Sequence, residues 1–226
     1  MRRASAWAAK REKYLSMAFK LPVVGGAIAA VAHLAFRRRF VPALLDLHDI
    51  LDDSPLRGRY WVWSGLLLGW AREGALLKHD RDADLALMLD DVPLLESLVP
   101  RLRSAGFEPR ARFRSNDGTT RILRFIRDGL QFEFFSFERI DDELVYYTFG
   151  WPPDNLFQNE ARIADQPLKE FDFLGRTWSC HEDVDSELEA MYGDWRTPER
   201  RWHYMDDDLA LTRRESWVYP DTAWEP

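Results

Sequence analysis

The run Asp80-Arg81-Asp82-Ala83-Asp84-Leu85-Ala86-Leu87 sets three carboxylates at alternate positions directly before two alternating leucines. An extended chain sends residues i, i+2 and i+4 to one face. As a strand, this segment carries three acids on one side while Leu85 and Leu87 anchor it from the other. Crowded negative charges cost free energy unless a cation neutralises them. Hard oxygen donors at this spacing suit Mg²⁺ or Mn²⁺, which in turn can hold nucleotide phosphates. The competing reading is a solvated acidic strand end. A further acid, Glu133, stands in the apolar run LQFEFFSF. An unpartnered carboxylate is costly there, and a metal shared with Asp82 and Asp84 would resolve the cost. The bland alternative is an outward-facing residue on a half-exposed sheet.

The surrounding pattern predicts an α+β domain, a mixed sheet flanked by helices. Leu44, Leu45, Leu47, Ile50 and Leu51 recur at helical spacing. Residues 60–63 are β-prone, 65–72 read as a turn into a helix, 82–88 as a strand and 92–103 as a helix ending before Gly106. Residues 121–127 and 130–137 read as a hairpin around Asp128-Gly129. A strand at 143–149, a hairpin around Leu174-Gly175 and a helix at 184–192 follow, with a polar, Trp-containing tail. No internal repeat or low-complexity tract is present.

The 226 residues, 46% hydrophobic and 31% charged, describe a globular chain, one domain or a domain with an appendage. One cysteine, Cys180, excludes an intramolecular disulfide framework and a Cys-rich zinc module. No secretory signal pattern is expected at the start. The ten tryptophans suit a large core as well as a sugar- or base-binding surface. Residues 1–40 hold nine Lys/Arg and one acid, a net +8 that leaves −15 for the rest. An acidic body argues against nucleic acid as partner. Within the basic arm, residues 21–36 carry no formal charge but are too short for a span. Either this run lies on an anionic membrane surface or it forms a helix packed on the main domain. The expected division is an arm at 1–40 and a domain at 41–226.

Two motifs make the chain recognisable. The first is GLLLGWAR with Gly65, Leu67, Leu68, Gly69 and Arg72, followed by EGALLKHDRDADL with Asp80, Asp82 and Asp84. The second is LEAMYGDWRTP, with Leu188, Tyr192, Gly193, Asp194, Trp195 and Pro198. Together they resemble the LicD/fukutin family, a branch of the nucleotidyltransferase superfamily. That family's signatures run G-T-L-L-G-x-x-R, then x-x-G-x-x-P-W-D-x-D-x-D-h, and later L-x-x-x-Y-G-x-D-W-x-x-P. The resemblance covers residues 41–205. Ala75 stands at the family's glycine, Leu66 at its threonine and Lys78-His79 at its Pro-Trp pair, and the second motif is one residue shorter before its aspartate.

The resemblance implies a nucleotidyltransferase-like fold and transfer of a phospho-alcohol from a CDP-linked alcohol donor to a hydroxyl of a glycan or lipid-linked glycan, releasing CMP. Asp82 and Asp84 would hold Mg²⁺ (or Mn²⁺), with Glu133 completing the site or ligating a second ion, and Asp80 as a further ligand or general base. Arg72 would bind phosphate oxygens through its planar fork, or pair with one of the aspartates. Gly65 and Gly69 allow close backbone approach or simply serve helix-turn geometry. Ser64 is the hydroxyl next to the missing threonine. Lys78 meets a phosphate or lies on the surface; His79 caps the site, accepts a proton or is likewise a surface residue. Tyr192, Gly193 and Trp195 close the core or wall the pocket, and Trp195 reads as packing. The competing functions are transfer of a nucleoside monophosphate from an NTP, and a non-catalytic scaffold of the same fold. The expected location is cytoplasmic and peripheral on a membrane.

Overall fold

The computed structural model describes residues 24–78, 80–150, 156–199, 202–219 and 222–224. Contacts divide the chain into a unit ending at Ala43 and a second unit from Leu44 onward. Helix α1, Val24–Asp52, runs through residue 40, where the sequence suggests a boundary. Nothing in Arg37-Arg38-Arg39-Phe40 interrupts a helix, since neither Gly nor Pro occurs there. In the first unit, the rings of Phe36 and Phe40 stack 4.9 Å apart and Leu34 is exposed. No described helix is long and apolar enough to cross a membrane.

In the second unit, α1 ends with Leu44, Leu47 and Leu51 buried. There follow β1 (Tyr60–Val62), α2 (Ser64–Glu73), β2 (Asp82–Met88), α3 (Val92–Ser97), α4 (Val99–Ser104), β3 (Glu108–Arg114), β4 (Thr120–Arg127), β5 (Leu130–Ile140) and β6 (Glu143–Phe149). The chain continues through β7 (Phe157–Ala164), β8 (Leu168–Phe173), β9 (Arg176–His181), α5 (Val184–Tyr192) and β10 (Leu211–Ser216). Eight strands form a mixed sheet in the order β1-β2-β5-β6-β7-β10, with β4 also pairing β5 and β3 pairing β4; β8 and β9 form a separate hairpin. The fold is α+β, consistent with a nucleotidyltransferase-like LicD domain.

Strand β5 is the hub. Its first part lies parallel to β2 and antiparallel to β4, and its last three residues pair with β6. The two-residue turns expected at Asp128-Gly129 and Leu174-Gly175 are present, and all four residues have positive φ. That is the backbone a tight hairpin demands, since its twist matches that of the strands.

The structure departs from the sequence pattern in two respects. The helix expected over 92–103 is two short helices that meet at Leu98. Pro100 has no N–H to donate to a preceding turn, so the first helix closes and a second starts. Strands β3, β7 and β10 lack a clear apolar alternation. β3 and β10 are rich in arginine, and β7 buries Gln158 and Asn159. Those two amides are satisfied locally: Gln158 donates to Glu215 (2.7 Å) and Asn159 to the Met205 carbonyl (3.1 Å).

Aromatic residues fill the core. Trp61, Trp63, Trp178, Trp195, Trp217 and Trp224 are all buried. Trp63 packs edge-on against Phe137 (4.8 Å) and Tyr146 (5.1 Å), directly before the helix that borders the acids. Replacing Trp63 by Ala should cost about 3–5 kcal/mol of stability, read as a lower urea midpoint with an unchanged slope.

Candidate active site

Strand β2 enters the sheet at Asp82, and its odd-numbered residues Ala83, Leu85 and Leu87 are buried, as the alternation requires. Asp82 and Asp84 are half-buried on the other face, and the half-buried Asp80, just before the strand, meets Asp82. The parallel ladder sets Asp82 beside Gln131 and Asp84 beside Glu133. Gln131 Nε2 donates to Asp82 (3.2 Å). Glu133 is buried and accepts a hydrogen bond from the Arg124 guanidinium on β4.

Helix α2 covers the strand's acidic end. The Trp63 N–H donates to the Asp84 carbonyl (3.0 Å), which fixes where the helix begins. Ser64 then takes a left-handed conformation, φ +50°, uncommon for a residue with a side chain. Its hydroxyl lies against both Asp84 and the Tyr192 hydroxyl, the latter at 3.3 Å. At Gly65 a Cβ would fall 2.2 Å from an Asp80 carboxylate oxygen, so a side chain there would displace that carboxylate from its present place. Gly69 serves another contact: its Cβ would meet the Ala75 carbonyl at 2.7 Å, so it seats the returning loop.

The acids raise one another's proton affinity. Burial, then the hydrogen-bonded and charged Asp82, pushes the Asp80 carboxyl well above the ordinary range. Burial, then the charges of Asp82, Glu133 and Asp80, does the same to Asp84, opposed by the Ser64 hydroxyl. Burial also raises Glu133, opposed mainly by Arg124. Asp84 Oδ1 is buried with no hydrogen-bond partner.

This donor set fits a hard divalent cation at Asp82 and Asp84: oxygen ligands, mutual repulsion and one orphaned carboxylate oxygen. Glu133 is held by Arg124 instead. Among the described residues, no three His, Cys, Asp or Glu side chains stand around a common point suited to a metal ion.

Arg72 pairs with none of the three aspartates. Its Nη1 donates to the Trp195 carbonyl (3.3 Å), Nη2 lies 3.6 Å from Glu73, and Nε is buried without a partner. Arg72 and Ser64 therefore both reach the second motif, one at Trp195 and the other at Tyr192. Lys78 is exposed, and His79 lies outside the described residues. Trp195 is buried, under the Arg196 guanidinium at 4.3 Å.

A cavity of about 730 Å³ opens elsewhere, among His48, Asp49, Asp52, Arg57, Tyr60 and Arg176. Tyr60 is paired with Leu87, whereas the acids sit at the opposite end of β2. Two aspartates of this cavity are paired with arginines, Asp49 with Arg176 (2.7 Å) and Asp52 with Arg57 (3.6 Å). A smaller one of about 260 Å³ lies beside Trp70, Ala71, Lys169 and Trp195.

Sequence reasoning missed Arg124 and the Tyr192 hydroxyl. The first had a signal. A two-residue turn at 128–129 pairs Arg127 with Leu130, and counting back sets Arg124 opposite Glu133. The second had none, because residues 64 and 192 meet only in three dimensions.

Residues 57–182 match the family described as LicD/FKTN/FKRP, nucleotidyltransferase domain. An uncharacterised protein of Rickettsia typhi is 24% identical over 151 residues, which are 66% of this chain and 44% of that protein. The ribitol-5-phosphate transferase FKTN of Mus musculus is 21% identical over 203 residues, 85% of this chain and 40% of that protein. The chain thus spans less than half the length of these relatives.

The electrostatics give a test. A carboxyl whose native pKa is raised binds its proton more tightly folded than unfolded, so ionising it costs stability as pH rises through the raised value. In EDTA at pH 7, Asp84→Asn should therefore raise Tm, by roughly 2–4 °C for each kcal/mol of repulsion removed. Below the unfolded value of 3.8, where the Asp84 carboxyl is protonated in both the folded and the unfolded chain, the gain should vanish. A calorimetric pH series checks both.

Proposed function

Since the chain belongs to the LicD/FKTN/FKRP nucleotidyltransferase-domain family, we propose that it is a metal-dependent transferase that moves a phospho-alcohol from a CDP-linked donor to a glycan hydroxyl. The observation that carries this reading is the row of Asp82 and Asp84 on β2 beside Glu133 on β5, with an orphaned oxygen on Asp84. The transferase named among the relatives supports the reaction class.

The acceptor oxygen attacks the donor phosphorus that bears the alcohol. The bond from that phosphorus to the bridging oxygen breaks, and CMP departs with the bridging oxygen. Little covalent chemistry falls to the protein, so positioning and charge dominate. Asp82 and Asp84 hold Mg²⁺ or Mn²⁺, which when bound neutralises pyrophosphate charge. Asp80 takes the acceptor's proton at a carboxylate oxygen; its burial beside Asp82 gives it the higher proton affinity a base near neutral pH needs. Arg72 offers its unpartnered Nε–H to phosphate oxygens. The Ser64 hydroxyl orients Asp84, the Gly65 backbone admits Asp80, and Gly69 holds the loop beneath. Lys78, exposed two positions before Asp80, attracts the donor's phosphates.

Ligand at a hundred times its Kd stabilises a protein by roughly 2.7 kcal/mol. CDP with Mg²⁺ should raise Tm accordingly, the shift should need the metal, and Asp82→Asn should lose it. A shift with ATP and Mg²⁺ but not CDP would replace this reading by NMP transfer from an NTP. No shift with either would favour a non-catalytic scaffold.

The +8 arm supports peripheral attachment to an anionic, cytoplasm-facing membrane near a lipid-linked acceptor. Each basic residue near such a surface contributes about 1 kcal/mol. Removing residues 1–40 should then abolish co-sedimentation with phosphatidylserine vesicles, and 0.5 M salt should weaken binding of the full chain.

A further inference from the structure

Strand β4 carries arginines at 121, 124 and 127. Side chains alternate along a strand, so Arg124 faces the side opposite to the other two. Arg121 bonds Glu138 (2.9 Å) and Asp117 (3.3 Å), and Arg127 bonds Asp46 (2.7 Å), all acids outside the candidate site. Arg124 instead completes a row across three adjacent strands: Asp84 beside Glu133, and Glu133 beside Arg124. Both Arg124 and Glu133 are buried, and the guanidinium lies 5.0 Å above the Phe113 ring. An arginine cannot shed its charge, so this row contains a permanent cation aimed at the acid that sequence reasoning assigns to the metal.

We propose that Arg124 is an internal counter-cation that holds Glu133 while the metal site is empty and competes with a divalent cation for that carboxylate. The inference rests on the reading of Asp82 and Asp84 as cation ligands. Arg124 is a positioning residue: it touches Glu133 and sets how readily that acid turns toward a bound ion. Cation binding and the Arg124–Glu133 pair are then linked, each weakening the other by the same factor. A site so built takes up its cation less tightly than its carboxylates alone would allow.

The test uses the full chain, stripped with EDTA, and Mn²⁺ alone as probe. Free Mn²⁺ is read by electron paramagnetic resonance, so no turnover is needed. Arg124→Gln should bind Mn²⁺ about tenfold more tightly than the wild type, a change of about 1.4 kcal/mol. Arg124→Lys, which keeps the charge, should stay within about threefold of the wild type. In a Glu133→Gln background, the Arg124→Gln change should lose most of its gain, because the pair it broke is no longer there. That double variant removes both buried charges together, so it remains testable where Arg124→Gln alone does not fold.

Unchanged or weaker Mn²⁺ binding by folded Arg124→Gln overturns the proposal. So does a full tenfold gain in the Glu133→Gln background, which would make Arg124 a bystander charge. Absence of Mn²⁺ binding in wild type and Arg124→Gln alike overturns the cation site itself, a failure distinct from the other two.

Discussion

The parallel pairing of β2 with β5 is the contact from which the site follows. It joins strands about fifty residues apart and sets their register, Asp82 beside Gln131 and Asp84 beside Glu133. A slip of one residue would turn every side chain to the opposite face. Leu85 and Leu87 would then face the site and the acids would enter the core. The apolar faces thus hold the register, and the register holds the acids together.

Gathering those acids opposes folding, and the rest of the domain offsets it. Asp80 and Asp84 lie in surroundings that disfavour their ionised forms. The offset comes from an aromatic core in which Phe137 touches Trp61, Trp63 and Tyr146, and which the strand register sets on the same face of the sheet as Asp82 and Asp84, farther along β2. One internal cation, Arg124, neutralises part of the charge. Functional sites commonly carry such a local cost, sustained by a rigid scaffold. Ser64 in its left-handed conformation and Gly65 against Asp80 mark the place where the backbone itself accommodates it.

The second motif closes on the first. The Tyr192 hydroxyl meets Ser64, and the Trp195 carbonyl accepts from Arg72. Residues over a hundred positions apart thereby lock the start and the end of α2. The matched family region ends at residue 182, so these contacts come from outside it, yet they orient the groups within it. Tyr192 and Trp195, legible only as packing or pocket wall, act through a hydroxyl and a carbonyl.

By itself the sequence determined what depends on local spacing. The alternation of Asp80, Asp82 and Asp84 brought three acids together, Asp82 and Asp84 on one face of β2 and Asp80 just before it, and the Asp128-Gly129 turn set the β4–β5 register and hence the Arg124–Glu133 pair. The proline positions in 92–104 likewise carried the break between α3 and α4, though the apolar pattern concealed it. Tertiary structure decided the rest. Strands β3, β7 and β10 exist because neighbours satisfy their polar side chains and backbone, which no residue pattern within them announces. Arg72 turned from the aspartates to the Trp195 carbonyl, and Glu133, read as a metal ligand or an outward-facing residue, is buried against Arg124. A charged side chain goes to whichever partner the packed backbone brings within hydrogen-bond reach, and that distance is not a property of local sequence.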